Sequence, residues 1–67
     1  MTNSNKLKGR IISEGYTLET FAKELDLSKS TLSLKINNKV KFLPDDIKKS
    51  SKILNLTADE IKEIFLC

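Results

Sequence analysis

The stretch from Thr17 to Asn38, TLETFAKELDLSKSTLSLKINN, constrains the fold of this chain more than any other feature. Apolar side chains recur in it three or four residues apart, the spacing of a helix face. This recurrence is interrupted once, at the segment 26–28. The apolar positions are Leu18, Phe21, Ala22 and Leu25 before the interruption, and Leu32 and Ile36 after it. The pattern predicts two short helices joined by a tight turn, with the second helix free on one face.

Each helix of the pair begins with a capping residue, Thr17 for the first and Ser28 for the second. An apolar residue precedes each cap and another stands four positions after it, which is the arrangement of a hydrophobic staple. Asp26 must then end the first helix with a positive φ angle, which costs Asp less than most other residues. These signals bound the turn and predict a helix-turn-helix.

Basic residues are concentrated in and just after the second helix of the pair. Between Leu27 and Pro44 there are four lysines and no acidic residue, namely Lys29, Lys35, Lys39 and Lys41. The whole chain carries a net charge of +3, so this local excess is larger than the charge of the molecule. A concentrated basic segment is typical of a protein that binds a polyanion.

Two segments carry a resemblance to a known family. TLETFAKELDLSKSTLSLKINNK resembles the DNA-binding unit of the lambda-repressor-like family of Cro or XRE type, and KFLPDDIKKSSKILNLTADEIKEIF is similar to its two closing helices. The resemblance covers about residues 6 to 65. It implies a single all-α domain over residues 1–67, with five helices and the helix-turn-helix at helices two and three. It also implies a transcriptional regulator of phage or prophage type, most simply a repressor.

The first helix is predicted from about residue 5 to residue 14. Leu7 and Ile11 face inward with Ile12 beside them, and Gly15 ends the helix with a positive φ angle. Residues 1–5 are polar and are expected to be frayed.

Two more helices are predicted after the basic segment. Pro44 suits the first position of the fourth helix, although Leu43 before it is a poor cap. Asn55 ends that helix with a positive φ angle, and Thr57 with Glu60 forms a capping box that begins the fifth helix.

Composition excludes several classes of protein. The chain has no His and a single Cys, Cys67, which excludes an intramolecular disulfide and the ligand sets of zinc fingers. Cys67 has no base beside it and there is no Gly-rich phosphate loop, so no enzyme is expected. No apolar run approaches the ~18 residues that a membrane span needs. We expect a cytoplasmic protein without cofactor, metal, membrane or small-molecule ligand.

The resemblance assigns DNA contacts to particular residues. The third helix, Lys29 to Ile36, lies in the major groove of double-stranded DNA in this interpretation. Its candidate base contacts are Lys29, Ser30, Ser33 and Leu34. The candidate phosphate contacts are Thr17, Lys35, Asn37, Lys39, Lys41 and Arg10. A solvated helix face with one exposed leucine remains the simpler alternative for the base-contacting group.

This sequence departs from the family pattern at three positions. Leu18 replaces a phosphate-binding Gln, Asp26 replaces the Gly of the turn, and Lys35 stands where many members bury an aliphatic residue.

One module offers few base contacts, so a homodimer on a two-fold operator is expected. Its candidate surface is Ile64, Phe65 and Leu66, which closure of the core would explain equally well. The alternative function is a scaffold for protein–protein interaction, as in an antitoxin or antirepressor, with Leu34 as an anchor.

Overall fold

Local capping signals set the bounds of the helices. The computed structural model describes residues 1–66, and over these it contains five helices and no strand. The helices are α1 (Ser4–Ser13), α2 (Leu18–Glu24), α3 (Lys29–Ile36), α4 (Pro44–Ile53) and α5 (Ala58–Phe65). The predicted all-α class with five helices is confirmed. None of these helices has both the length and the apolar character that crossing a membrane requires. Cys67, which was considered as a nucleophile, lies outside the described residues.

Three connections between the helices, at 14–17, 25–28 and 54–57, are built in the same way. The second residue of each has a positive φ angle, 88° at Gly15, 57° at Asp26 and 53° at Asn55. The third residue is apolar, and its N–H donates to a carbonyl five residues earlier. The fourth residue is the Thr or Ser that caps the next helix. Each connector therefore ends one helix and begins another with local bonds alone.

The connection between α3 and α4, residues 37–43, is longer and different. Asn38 ends α3 with a φ angle of 62°. The backbone N–H groups of Lys39 and Val40 then donate to the Leu34 carbonyl, at 2.9 and 3.2 Å. Leu43 has no side chain that can cap α4, as expected, and its own N–H donates to Asp46 Oδ2 at 3.0 Å. The start of α4 therefore depends on a carboxylate.

The core lies between the helices and draws on all of them. Its buried apolar side chains are Leu7, Ile11, Phe21, Ala22, Leu25, Leu32, Ile36, Leu54, Ile64 and Phe65. Aromatic pairs extend it at two places, with ring centroids 6.0 Å apart for Tyr16 and Phe21 and 5.1 Å apart for Phe42 and Phe65. Because α3 contributes Leu32 and Ile36 to this core, its opposite face is left outside.

Two expectations about the first 14 residues are wrong. The N-terminal segment is bonded rather than frayed, since the Thr2 backbone exchanges two hydrogen bonds with the Asn38 side chain, at 2.8 and 3.0 Å. The Asn3 N–H donates to the Ile64 carbonyl at 2.6 Å, and the Asn3 side chain caps α1. Ile12, expected beside the inward residues, is 68% exposed because it points away from the face that Leu7 and Ile11 share.

Candidate nucleic-acid interface

One side of α3 is turned away from the core. Each of Ser30, Ser33, Leu34 and Asn37 has others of the four three or four residues away along the chain, so together they form a continuous stripe along the helix. We call these four residues the outer stripe. Ser33 is half-buried, the other three are exposed, and Leu34 is 46% exposed. The outer stripe is therefore a narrow surface of small polar groups with one apolar side chain among them.

Lys29 lies at the beginning of α3, where the helix starts as predicted. The Ser28 hydroxyl accepts a hydrogen bond from the Thr31 N–H at 3.1 Å and so caps the helix. Lys29 is exposed and stands one turn before Ser33. The four candidate base contacts are thus brought together on one short helix.

The segment Lys39–Val40–Lys41, which we call the basic loop, follows the end of the outer stripe directly. All three of its residues are exposed. Its first two N–H groups are bound to the Leu34 carbonyl, so the loop begins at a fixed position relative to α3. Two lysine side chains therefore extend from the end of α3 into solvent.

Thr17 and Asn37 are exposed and already have structural partners. The Thr17 hydroxyl accepts a hydrogen bond from the Thr20 N–H at 3.1 Å, and the Thr17 N–H donates to the Thr20 hydroxyl at 2.9 Å. The Asn37 amide donates to the Ser33 hydroxyl at 3.4 Å. Capping explains both residues, and their contact with phosphate stays a prediction.

Lys35 does not extend toward solvent as a phosphate contact requires. Its side chain is only 6% exposed, and Nζ donates to Asp46 Oδ2 at 2.5 Å and to the Lys41 carbonyl at 3.4 Å. The reason is its register, because Lys35 lies three residues after Leu32 and therefore on the inward side of α3. We do not carry Lys35 forward as a phosphate contact.

Arg10 is likewise committed within the molecule. Its guanidinium forms ion pairs with Glu14 and Glu60. It also donates to the carbonyls of Leu54 and Asn55, at 3.2 to 3.3 Å. These partners lie at the end of α1, in the connector 54–57 and on α5, and none of them belongs to the outer stripe or the basic loop. Arg10 therefore ties α1 to that connector, and we remove it from the candidate phosphate contacts.

The candidate dimer surface is mostly core. Ile64 is 4% exposed and Phe65 is 5% exposed, because both close the bundle from the inward face of α5. Core closure thus accounts for these two residues, and they offer no surface for a second copy. Leu66 is 67% exposed and is the one member of the predicted set that remains available.

Asp46, in the first turn of α4, is a carboxylate that the sequence analysis did not single out. Burial by itself raises the pKa of Asp46. The hydrogen bonds from Lys35 and Leu43 and the positive charges of Lys35 and Lys49 outweigh that effect, so the pKa lies below its ordinary value of 3.8. Asp46 is therefore charged at neutral pH and balances the buried ammonium of Lys35. The available signal was a lysine at an inward position of α3, since a buried cation requires a partner.

The charge left on this side of the molecule is positive. With Lys35 neutralised by Asp46, the exposed cations between residues 28 and 43 are Lys29, Lys39 and Lys41, with no acid among them. The nearest acids along the chain are Asp26, on the connector before α3, and Asp45, in the first turn of α4, and both are exposed. Within residues 1–66 no group of His, Cys, Asp or Glu side chains is arranged to hold a metal ion.

Comparison with known protein families relates nearly the whole chain to one of them. The model of a family described as "Protein of unknown function (DUF739)" matches residues 2–67. No curated protein matches the chain.

Proposed function

The chain belongs to the DUF739 family of proteins of unknown function, and from that premise we propose that it binds double-stranded DNA as a sequence-specific transcriptional regulator. The observation that carries the proposal is the outer stripe of α3, exposed and flanked by exposed lysines with no acid in residues 28–43. Small polar side chains at the contact surface allow a helix to approach base edges, and lysines beside it match a polyanion.

In this proposal α3 enters the major groove. That groove is about 12 Å wide and admits a helix. Ser30 and Ser33 hydrogen-bond base edges, Leu34 contacts a thymine methyl group, and Lys29 reaches the O6 or N7 atom of a guanine. Serine pairs with several bases, so Lys29 and Leu34 carry most of the discrimination.

The basic loop supplies the sequence-independent part of the affinity. Lys39 and Lys41 neutralise phosphates on the strand that borders the groove, and Thr17 and Asn37 contribute polar contacts. Phosphate contacts of this kind fix how the helix is seated without reading sequence.

The order of the helices supports the finer assignment to the lambda-repressor-like, Cro-type regulators, including phage and prophage repressors. Two short helices joined by the connector 25–28 pack against each other, and the second exposes its outer face. Binding as a homodimer to a two-fold operator belongs to the same proposal, because one α3 reads only a few base pairs. Sedimentation of the protein with and without its duplex measures that stoichiometry.

The test begins with selection of bound duplexes from a random pool. Affinity for a selected and an unrelated duplex is then measured by fluorescence anisotropy at several salt concentrations. Lys41→Ala is expected to weaken binding to both duplexes by the same factor and to reduce the log–log salt slope by about 0.9, the value for one phosphate. Lys52→Ala is the matched control, because Lys52 is exposed at the other end of α4 from the basic loop.

Leu34→Ala tests the base-reading part separately. It is expected to reduce the preference for the selected duplex over the unrelated one by roughly five- to tenfold, since loss of recognition at one base pair costs about 1 kcal/mol or more. Ile12→Ala removes an apolar side chain from α1 that is more exposed than Leu34, and it should leave the preference unchanged. Equal weakening for every duplex by Leu34→Ala contradicts the base-reading role.

Failure of the wild-type protein to retain any duplex in dilute buffer contradicts DNA binding altogether. The exposed Leu34 then favours the second function, a scaffold that binds another protein through α3.

A further inference from the structure

We propose that Lys35 and Asp46 are positioning residues that hold the basic loop beside α3, an inference that rests on the DNA-binding function proposed above. Neither residue touches DNA in this arrangement. Their effect on binding passes through Lys39 and Lys41, whose backbone they fix.

The ion pair connects three parts of the molecule. Lys35 belongs to α3 and Asp46 to the first turn of α4. Between them, Lys35 Nζ donates to the Lys41 carbonyl at 3.4 Å and lies 5.9 Å from the centre of the Phe42 ring. Asp46 Oδ2 also accepts the Leu43 N–H at 3.0 Å. The pair therefore binds two backbone groups at the downstream end of the basic loop.

The two ends of the basic loop are held by different means. At the upstream end the N–H groups of Lys39 and Val40 bind the Leu34 carbonyl, a backbone arrangement that other sequences can also make. At the downstream end the bonds to Lys41 and Leu43 come from side chains, those of Lys35 and Asp46. Loss of the pair removes these hydrogen bonds and leaves the downstream end held by the packing of Phe42 against Phe65.

Stability alone does not explain why an ion pair occupies this place. Removing two charges from water is costly, and an apolar pair of similar size is often as stable or more stable. An apolar pair, however, has no donor for the Lys41 carbonyl and no acceptor for the Leu43 N–H. Directional bonding to the loop is what the charged pair adds.

The decisive variant replaces both members with apolar residues, Lys35→Met with Asp46→Leu. Amide hydrogen exchange of the free protein is expected to accelerate at least tenfold at Leu43, whose N–H loses its acceptor, with the amides of α3 and the last turns of α4 unchanged. Duplex binding at 0.1 M salt is expected to weaken roughly ten- to hundredfold, and the log–log salt slope to fall by up to about 1.8, the value for two phosphates. The ratio of affinities for selected and unrelated duplexes should stay the same.

Lys39→Ala with Lys41→Ala is the reference, because it removes the charges and leaves the ion pair in place. The proposal predicts the same reduction in the log–log salt slope in both double variants. It predicts faster amide exchange at Leu43 only in the Met–Leu variant. The proposal is overturned if the Leu43 amide of the folded Met–Leu variant exchanges as slowly as in the wild type, or if the salt slope of that variant is unchanged.

A second variant decides the question if the Met–Leu chain does not fold. Lys35→Met with Asp46→Asn keeps an acceptor for the Leu43 N–H and removes the donor to the Lys41 carbonyl. Slow exchange at Leu43 together with a reduced salt slope supports the positioning role, and an unchanged salt slope overturns it. The exchange measurement uses protein without DNA. A wild-type protein that binds no duplex therefore contradicts only the proposed function. Unchanged amide exchange at Leu43 in the Met–Leu variant contradicts only the positioning role.

Discussion

Ser50 is a hydroxyl residue in a place suited to a smaller apolar one. Its side chain is 0% exposed, and its Oγ has no hydrogen-bond partner among residues 1–66. A buried hydroxyl that gives up its bonds to water without replacing them costs about 1 to 3 kcal/mol. The neighbouring Ser51 differs, because its hydroxyl donates to the Ile47 carbonyl at 2.7 Å.

Ser50→Ala is therefore expected to stabilise the protein by about 1 kcal/mol, since it removes the unsatisfied group and leaves almost no cavity. Urea unfolding followed by circular dichroism measures the change. Ser51→Ala is the control, and it should be neutral or destabilising by up to about 1 kcal/mol. A loss of stability in Ser50→Ala would show that the hydroxyl is satisfied, for instance by a bound water.

The surroundings of Lys35 could be predicted from the sequence only in part. The sequence interpretation made Lys35 a phosphate contact, although many members of the resembled family bury an aliphatic residue at this position. The partner could not be identified, because Asp46 is eleven residues away across the α3–α4 connection. The path of that connection depends on packing of Phe42 against Phe65 near the end of the chain. Arg10 was misassigned for the same reason, since all of its partners except Glu14 lie 44 to 50 residues away.

At the scale of elements, the connectors were the most predictable part of the molecule. Gly15, Asp26 and Asn55 were each expected at a positive φ angle, and each has one. The signals are local, because a cap, a residue that tolerates positive φ and an apolar neighbour lie within four positions. The exposed face of α3 also followed from local periodicity. The bonding of residues 2–4 to the ends of α3 and α5 did not, since it depends on contacts between distant parts of the chain.

Asn55 offers a clean test of the connector. Asn55→Ala is expected to destabilise the protein by about 1 kcal/mol, because Ala carries a larger penalty for positive φ than Asn does. Asn55→Gly should stay within about 0.5 kcal/mol of the wild type, since Gly adopts this angle freely and the Asn55 carbonyl that binds Arg10 is retained. Thermal unfolding of the two variants gives the comparison. Equal effects of Ala and Gly would contradict the conformational explanation.

At the scale of the whole molecule, two carboxylates couple folding to pH. The hydrogen bond from the Thr57 N–H is the main reason that the pKa of Glu60 lies below 4.5, and the charge of Arg10 lowers it further against the effect of burial. The pKa of Asp46 lies below 3.8, because its bonds to Lys35 and Leu43 outweigh burial. Both groups release their protons more readily in the folded chain than in the unfolded one, so they stabilise the charged, folded state.

The free energy of unfolding should therefore be independent of these groups above about pH 5 and should decrease as the pH falls through their folded pKa values. Urea unfolding between pH 6 and pH 2 measures this dependence. The Lys35→Met, Asp46→Leu variant should show a weaker decrease below pH 3.8 than the wild type, and Glu60→Gln a weaker decrease below pH 4.5. If the free energy of unfolding of both variants decreases with pH as that of the wild type does, the acid sensitivity comes from other groups.

The bond between the Asn3 N–H and the Ile64 carbonyl has a consequence for engineering. It brings the first turn of α1 next to the last turn of α5, so a short linker can join the two ends and the chain can be reopened elsewhere. Reopening between Lys39 and Val40 yields a circular permutant in which every helix is intact and the cut lies within the basic loop. In such a molecule the folding of the helical bundle can be studied separately from the positioning of Lys39 and Lys41.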